Sequence, residues 1–225
     1  MSAPLESNKR RVVIVEDHPM FREQLRLLID KEDDLVVCGE ADNVSDALRV
    51  IECLRPDLAI IDITLKGSGG LDLLKDLKCH EIELPVLVLS MHDESLYAER
   101  ALRAGARGYI TKQEASLSVM TAIRQVLSGE IYLDARVMRR MVGKVVGNAN
   151  GGAAPIDRLT DRELEVFELI GHGRTTREIG CRLHVGLTTV DTYRARIKDK
   201  LQLENAARLH AEASRWVLER GSAAS

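Results

Sequence analysis

Five short apolar runs alternate with five amphipathic segments between residues 11 and 127, and this alternation restricts the possible folds more than any other feature. The apolar runs have the length of strands, whereas the segments between them repeat their apolar residues every three or four positions. The predicted strands are residues 12–15, 35–38, 58–63, 86–90 and 108–111, and a helix is predicted after each. Because crossovers between parallel strands are right-handed, we expect an α/β doubly wound, five-stranded parallel sheet with helices on both faces.

The pattern changes after Gly129. Residues 134–146 predict one amphipathic helix, and the glycine-rich, uncharged residues 147–155 are typical of a flexible tether. Only helical patterns follow. We therefore expect a disordered tail at residues 1–10, an α/β domain at 11–129, a linker at 130–157, and a small all-α four-helix domain at 158–225.

The composition is that of an ordinary globular protein. A net charge of −3 with 30% charged and 45% hydrophobic residues argues against both a disordered chain and a strongly basic nucleic-acid coat. The four cysteines are scattered without a Cys-x-x-Cys pair, so we expect small buried thiols in a reducing compartment. The first residues lack an apolar signal segment, and no window approaches 18 continuous apolar residues, so a cytoplasmic location is expected.

Polar residues stand where the predicted strands end. Glu16 and Asp17 follow the first strand, Asp62 ends the third, Ser90 ends the fourth and Lys112 follows the fifth. Since the carboxyl ends of parallel strands meet at one edge, we expect these side chains to lie together. Three crowded acids need a counter-ion, and oxygen ligands without a thiolate or histidine cluster favour Mg²⁺.

The same residues suit phosphoryl transfer onto a carboxylate, with Asp62 as the nucleophile. A metal and a lysine would neutralise phosphoryl oxygens, while a hydroxyl would donate to a third oxygen. Each residue alone also has a structural interpretation. Asp62 could cap a turn, Ser90 could bond to backbone, and Lys112 could be a solvated surface charge.

Four pieces of this edge share an order and spacing: Glu16-Asp17-His18-Pro19, Asp62 with Gly70 eight residues later, Ser90, and Gly105-Ala106-Arg107-Gly108-Tyr109-Ile110-Thr111-Lys112. Together they resemble the receiver domains of two-component response regulators. The resemblance implies a flavodoxin-like fold in which Asp62 accepts a phosphoryl group from a sensor histidine kinase. One departure is Leu65-Lys66, where a Met-Pro or Leu-Pro pair is usual.

The resemblance also implies roles for the individual residues. The implied Mg²⁺ ligands are Asp17 and Asp62 directly, Glu16 through water, and the backbone carbonyl of Thr64. Ser90 and Lys112 are implied to bind the phosphoryl group. Ser90 and Tyr109 are the implied switch pair, in which the aromatic ring turns inward as the hydroxyl moves toward the phosphoryl group. Tyr109 could otherwise be a half-buried strand aromatic.

The C-terminal part carries two capping-box patterns, Thr160-x-x-Glu163 and Thr175-x-x-Glu178, which predict helix starts. Helices are predicted at about 161–172, 176–183, 188–201 and 205–219. The motif that includes Thr189-Val190-x-x-Tyr193-Arg194-x-x-Ile197-x-x-Lys200-Leu201 resembles the LuxR-type helix-turn-helix over residues 158–220. The whole chain thus resembles a NarL/FixJ-type response regulator. A small helical interaction bundle is the alternative for this part.

The helix from Thr188 would lie in the major groove of DNA. The candidate DNA contacts on it are Thr188, Thr189, Asp191, Thr192, Arg194, Ala195, Arg196, Lys198 and Lys200. Lys198 and Lys200 could equally lie on a solvated face. Three residues depart from the family pattern, namely Gly186 for a serine, Asp191 for a basic residue and Tyr193 for a histidine, and Asp191 could contact cytosine or cap the helix.

The last predicted helix carries a stripe that resembles the one through which such domains pair on DNA. The candidate dimerisation residues are Ala206, Leu209, Ala213 and Trp216, although Trp216 could equally belong to the core. These patterns predict a response regulator in which phosphorylation of Asp62 promotes homodimerisation and binding to a two-fold site in double-stranded DNA.

Two alternatives remain open. The first is a DNA-binding regulator that acts without phosphorylation, with its α/β domain serving only as a dimer scaffold. The second is an aspartyl-phosphate hydrolase of similar fold, which would use Asp62 catalytically. Such enzymes normally carry a second acid two residues after the nucleophile, where this chain has Thr64.

Overall fold

The computed structural model describes residues 9–65, 69–91, 95–133, 135, 137–139, 141–142 and 155–222. The chain divides into two compact units, Met1–Asn148 and Ala149–Ser225. Residues 135, 137–139 and 141–142 of the predicted 134–146 helix are helical. The predicted N-terminal tail up to residue 8, the glycine-rich tether before Pro155 and the rest of that helix lie outside the described residues. The exact domain and linker boundaries stay a prediction.

The first unit is built from parallel strands and the helices that connect them. The strands are β1 (Arg10–Val15), β2 (Leu35–Ala41), β3 (Leu58–Asp62), β4 (Val86–Ser90), β5 (Gly108–Thr111) and β6 (Tyr132–Leu133). The helices are α1 (Pro19–Asp30), α2 (Val44–Leu54), α3 (Gly70–Cys79), α4 (Ser95–Ala104) and α5 (Lys112–Leu127). Within the described residues the sheet has six strands in the order β2-β1-β3-β4-β5-β6, all paired in parallel.

This arrangement confirms the predicted doubly wound parallel sheet and adds one strand at its edge. Every residue of β3, β4 and β5 is buried, as expected for strands covered on both faces. Strand β2 pairs with one side of β1, and β3 pairs with the other side. The carboxyl ends of β1 and β3 therefore flank the point where the strand order reverses, which is where open α/β sheets bind ligands.

The second unit is helical. A short 3-10 helix at Pro155–Arg158 precedes α6 (Asp161–Gly171), α7 (Thr176–Leu183), α8 (Leu187–Leu201) and α9 (Ala206–Ser222). Both predicted capping boxes are confirmed: the side chains of Thr160 and Thr175 accept from the backbone N–H groups of Glu163 and Glu178, whose carboxylates accept in return. These reciprocal bonds satisfy donors that a helix start leaves free.

The core of the second unit forms where α9 packs on α6. The Trp216 ring meets the Phe167 ring edge-on at a centroid distance of 5.7 Å. A Cβ added to Gly171 would lie 2.5 Å from the carbonyl oxygen of Ala213, so the two helices approach too closely for any side chain there. Because Trp216 is the single tryptophan of the chain, its fluorescence reports on this packing.

The surface differs from one expectation. Cys53, Cys79 and Cys181 are exposed free thiols and Cys38 is half-buried, so the prediction of four buried cysteines is wrong. Cys53 and Cys181 lie within the amphipathic helices α2 and α7, on the sides turned away from the core. Scattered spacing argues against a disulfide or metal–thiolate framework but does not determine burial. In the described part of the chain, no helix combines the length and apolar character needed to cross a membrane.

Thr160→Ala is expected to lower the free energy of unfolding of the second unit by about 1 kcal/mol, because it removes the side-chain acceptor at the start of α6. The measurement is urea unfolding of the full-length protein followed by Trp216 fluorescence. Thr192→Ala, at an exposed position within α8, is the matched control and should leave the midpoint unchanged. Equal midpoints for Thr160→Ala and wild type would contradict the assigned role of the cap.

Candidate functional site

Three buried acids meet at the carboxyl edge of the sheet. Glu16 and Asp17 directly follow β1, Asp62 is the last residue of β3, and the two strands pair in parallel with Val15 opposite Ile61. All three carboxyl side chains are buried. Ligand atoms of the three acids and of His18 lie within 4.8 Å of one another. The structure thus brings together the acids that the sequence places at the strand ends.

Lys112 supplies positive charge to this cluster. It is the first residue of α5, directly after β5, and its side chain is only 7% exposed. Its Nζ lies 2.6 Å from Glu16 Oε2 and 2.9 Å from Asp62 Oδ2. The same ammonium lies 4.9 Å from the centre of the Phe21 ring, within cation–π range. One buried ammonium therefore contacts two buried carboxylates and offsets part of their negative charge.

The surroundings shift the pKa values of both partners. Burial, and then the neighbouring Glu16 carboxylate, raise the pKa of Asp62 to about 7, against the opposing effects of Lys112 and of the Thr64 N–H. That N–H donates to Asp62 Oδ1 at 3.1 Å. Burial lowers the pKa of Lys112, but Asp62 and Glu16 outweigh burial, so the pKa lies above its ordinary value. Negative charge exceeds positive charge at this edge, which favours a bound cation.

The residues present fit a divalent cation such as Mg²⁺. The donor set is dominated by carboxylate oxygens, which are the ligands that hard cations prefer. Thr64 Oγ1, two residues after Asp62, is buried and has no hydrogen-bond partner within the described parts of the chain. Polar groups left without a partner inside a protein are uncommon. The loop after Asp62 therefore offers oxygen atoms in addition to the three acids.

Two side chains of this edge were assigned no role from the sequence, although His18 is part of the Glu16-Asp17-His18-Pro19 motif. His18 Nδ1 lies 3.1 Å from Glu16 Oε1 and 2.9 Å from Asp17 Oδ1, and the His18 backbone N–H donates to Glu16 Oε1. Arg22, one turn into α1, donates from Nη1 to the Glu16 carbonyl oxygen at 2.5 Å. The signal available in the sequence was their position, directly after the acids and on the first turn of the next helix.

Ser90 and Tyr109, the predicted switch residues, are fully buried. Ser90 ends β4, one residue beyond Leu89, which pairs with Asp62. Ser90 itself pairs with Thr111, the residue before Lys112. The sheet register therefore carries the Ser90 backbone to the edge that holds Asp62 and Lys112. The roles of both residues in switching stay a prediction.

A close backbone contact explains why the motif has a glycine at position 70. A Cβ added at Gly70 would lie 1.9 Å from the carbonyl oxygen of Asp62, and the Gly70 N–H donates to the Ile63 carbonyl at 2.7 Å. The first residue of α3 thus abuts the backbone of the proposed phosphoacceptor. At Gly69 an added Cβ would meet its nearest atom only at 3.8 Å.

In the second unit, one face of α8 packs on the rest of the domain and the other face is exposed. Val190 and Ile197 are fully buried, as the helix-turn-helix pattern predicts. The exposed candidates for DNA contact are Thr188, Thr189, Asp191, Thr192, Ala195 and Arg196. Gly186 occupies the N-cap and the helix begins at Leu187, so the alternative that Asp191 caps this helix is wrong.

The four basic candidates on α8 fall into two pairs. Lys200 Nζ lies 2.6 Å from Glu163 Oε2, and Arg194 donates from Nη1 to Thr176 Oγ1 at 3.3 Å. The side chains of Arg196 and Lys198 form no ion pair or hydrogen bond with the described residues. Only the second pair is therefore free to meet phosphates.

The candidate dimerisation stripe lies largely inside the domain. Leu209 and Ala213 are fully buried, and Trp216 packs on Phe167. Leu209 and Ala213 are thus part of the domain's own core, and for Trp216 the core alternative is the one supported. The role of the stripe in dimerisation stays a prediction. Of the four residues only Ala206 is exposed. A stripe at helical spacing shows that a face is covered but does not show which partner covers it.

Gly70→Ala is expected to destabilise the first unit by about 2 kcal/mol or more, because the new methyl group must displace backbone rather than a side chain. Hydrogen exchange of β3 amides in the full-length protein measures the loss. Gly69→Ala is the matched control and should leave protection unchanged. Equal protection in the two variants would contradict the close contact between α3 and Asp62.

Comparisons with known proteins agree with the geometry of both units. Residues 12–124 match the family model of the response regulator receiver domain, and residues 157–213 match that of the bacterial regulatory proteins of the luxR family. A Pseudomonas aeruginosa protein is 35% identical over 199 residues, covering 88% of this chain and 94% of the relative. The transcriptional regulatory protein LiaR of Bacillus subtilis is 31% identical, covering 87% of this chain and 92% of LiaR.

Among solved structures, a two-component response regulator of the LuxR family from Aurantimonas sp. SI85-9A1 is 30% identical with a TM-score of 0.59. The match covers 61% of this chain and 99% of that chain. Two family models in the order expected from the sequence, with relatives aligned over most of their length, leave one conclusion. This chain is a two-component response regulator of the LuxR family, with a receiver domain followed by a helix-turn-helix DNA-binding domain.

Proposed function

We propose that Asp62 is the residue through which the signal enters, by accepting a phosphoryl group from a sensor histidine kinase. The observation that carries this proposal is the contact of Lys112 Nζ with both Asp62 Oδ2 and Glu16 Oε2. In the transfer, the bond from phosphorus to the donor imidazole nitrogen breaks and a bond from an Asp62 carboxylate oxygen to phosphorus forms. Lys112 is placed to neutralise phosphoryl oxygens as negative charge arrives.

Mg²⁺ is the proposed cofactor. Asp17 and Asp62 would hold it directly, Glu16 through water, and Thr64 through its backbone carbonyl. When bound, the ion supplies positive charge to the phosphoryl oxygens. Lys112 alone cannot balance three buried acids, and the raised pKa of Asp62 is consistent with that deficit of positive charge.

The proposed output is a change in dimerisation and DNA binding. Ser90 and Tyr109 would respond to the phosphoryl group, and two copies of the chain would then bind a two-fold site in double-stranded DNA. Pairing multiplies the contacts of a weak half-site, which is why dimerisation raises affinity. A regulator that binds chromosomal DNA works in the cytoplasm of a bacterium, and we propose that location.

The proposed DNA face is the exposed side of α8. Thr188, Thr192 and Arg196 follow one another at intervals of four residues and are all exposed, so they share one face of the helix. Arg196 and Lys198 would contact phosphates, which supply affinity without sequence choice. The exposed Asp191, Thr192 and Ala195 would then face the base edges.

Asp62→Asn is expected to abolish incorporation of a phosphoryl group from acetyl phosphate in the presence of Mg²⁺, because an amide cannot form the acyl phosphate. Intact-mass spectrometry counts the phosphoryl groups on the full-length protein. Asp76→Asn, on the outer part of α3, is the matched control and should incorporate as wild type. Phosphorylation of the Asp62 variant at the wild-type level would overturn the assignment.

The same Asp62 variant tests the switch. If phosphorylation controls output, wild-type protein should gain dimer and DNA affinity after treatment with acetyl phosphate and Mg²⁺, and the variant should not. Equal DNA affinity and oligomeric state in treated and untreated wild type would instead support the regulator that acts without phosphorylation.

Lys112→Met is expected to destabilise the first unit by about 3–5 kcal/mol without Mg²⁺, because it leaves buried carboxylates without their cation. Added Mg²⁺ should recover more stability in this variant than in wild type, since binding of a ligand to the folded state stabilises it. Urea unfolding followed by circular dichroism measures both effects. Lys78→Met, at an exposed position of α3, is the control; equal gains from Mg²⁺ in all three proteins would contradict the site.

A further inference from the structure

We propose that Arg194 is a positioning residue of the DNA-binding helix α8, held by His210 and Thr176, and that it is not itself a DNA contact. The proposal refines the DNA interface described above and rests on binding through α8. It assigns a role to His210, a residue of α9 for which the sequence suggested none.

The position of Arg194 on α8 is the first argument. It follows the fully buried Val190 by four residues and precedes the fully buried Ile197 by three, so all three lie on the packed face. The exposed residues Thr192 and Arg196 lie on the other side of the helix. Arg194 is accordingly half-buried. Its side chain starts from the face that meets the domain.

The contacts of the guanidinium are the second argument. Nη1 donates to Thr176 Oγ1 at 3.3 Å, and Nη2 lies 3.0 Å from His210 Nε2. A guanidinium has donors only, so the contact with His210 is a hydrogen bond when Nε2 carries the lone pair. His210 is then neutral with its proton on Nδ1. The planar fork of arginine reaches both acceptors at once, which a lysine ammonium on a flexible stem does not reproduce.

The two acceptors of Arg194 lie on the helices that precede and follow α8 in the chain. Thr176 is the first residue of α7, and His210 lies in the second turn of α9. Arg194 therefore ties α8 to the helix before it and to the helix after it. A contact that sets the placement of α8 sets the placement of its exposed side chains on DNA, so loss of the contact should weaken binding without removing a phosphate contact.

The test separates a positioning charge from a phosphate contact by salt dependence. The probe is a fluorescent duplex selected by the full-length wild-type protein from a random-sequence library. Arg194→Met and Arg194→Lys should each weaken binding by about tenfold or more, the equivalent of at least one lost charged hydrogen bond, with the slope of log K against log salt unchanged. At the control position, Arg196→Met should reduce that slope by about one, and Arg196→Lys should restore it.

Variants of His210 test the proposed contact independently of any change at Arg194. His210→Leu, which removes one of the two acceptors, should weaken binding in the same way as Arg194→Met but to a smaller extent. His210→Gln, which offers an amide oxygen, should restore most of the affinity. The double variant Arg194→Met with His210→Leu should be no weaker than Arg194→Met alone, because Arg194→Met has already removed the interaction with His210. The same non-additivity should appear in urea unfolding followed by Trp216 fluorescence, which needs no DNA.

Two results would overturn the proposal. One is wild-type affinity for Arg194→Lys together with a reduced salt slope for Arg194→Met, which is the behaviour of a phosphate contact. The other is additive loss of stability for the Arg194 and His210 variants. Failure of the wild-type protein to select any duplex would refute the DNA interface instead, and the unfolding measurement would still decide whether the pair is coupled.

Discussion

The contact between Lys112 and the carboxylates of Glu16 and Asp62 is the interaction on which the receiver domain depends. Three acids buried at one edge repel one another, and burying an unpaired charge costs more than most single contacts return. The lysine offsets part of this repulsion. The remaining excess of negative charge at the edge favours binding of a cation. The stability of the edge and its proposed chemistry therefore share one cause. A fully neutralised edge would be more stable and would have less affinity for metal.

The parallel sheet explains why residues so far apart in sequence reach this contact. Each strand ends at the same edge, so the last residue of a strand, or the residue directly after it, is placed there without any long-range signal in the sequence. Glu16, Asp62, Ser90 and Lys112 all satisfy this rule. For this reason the sequence alone predicted that these residues meet at one edge of the sheet. It could not predict the partners of Lys112, because the choice between one, two or three acids depends on side-chain distances.

Sequence reasoning succeeded where the determinants are local and failed where they are not. The capping boxes at Thr160 and Thr175 were predicted correctly because four consecutive residues determine them. Strand β6 was missed because two residues carry no periodicity. Leu209 and Ala213 were proposed as dimerisation residues although they are buried in the domain's own core, because an apolar stripe looks the same whether a neighbouring helix or a second copy covers it. Arg194 was grouped with Arg196, although Arg194 bonds to Thr176 and His210 and Arg196 is exposed, because charge alone does not show which side of a helix packs on the domain.

The connectivity of the sheet has an electrostatic consequence of its own. Because every connecting helix begins after a strand has ended, α1, α3 and α5 start at the edge that holds the acids, at Pro19, Gly70 and Lys112. The start of a helix carries a partial positive charge from its aligned peptide dipoles. Three such helix starts add a field that is fixed in the backbone, independent of any metal and insensitive to protonation. In the proposed phosphoryl transfer, the backbone would thus oppose part of the repulsion that the incoming group meets from the carboxylates.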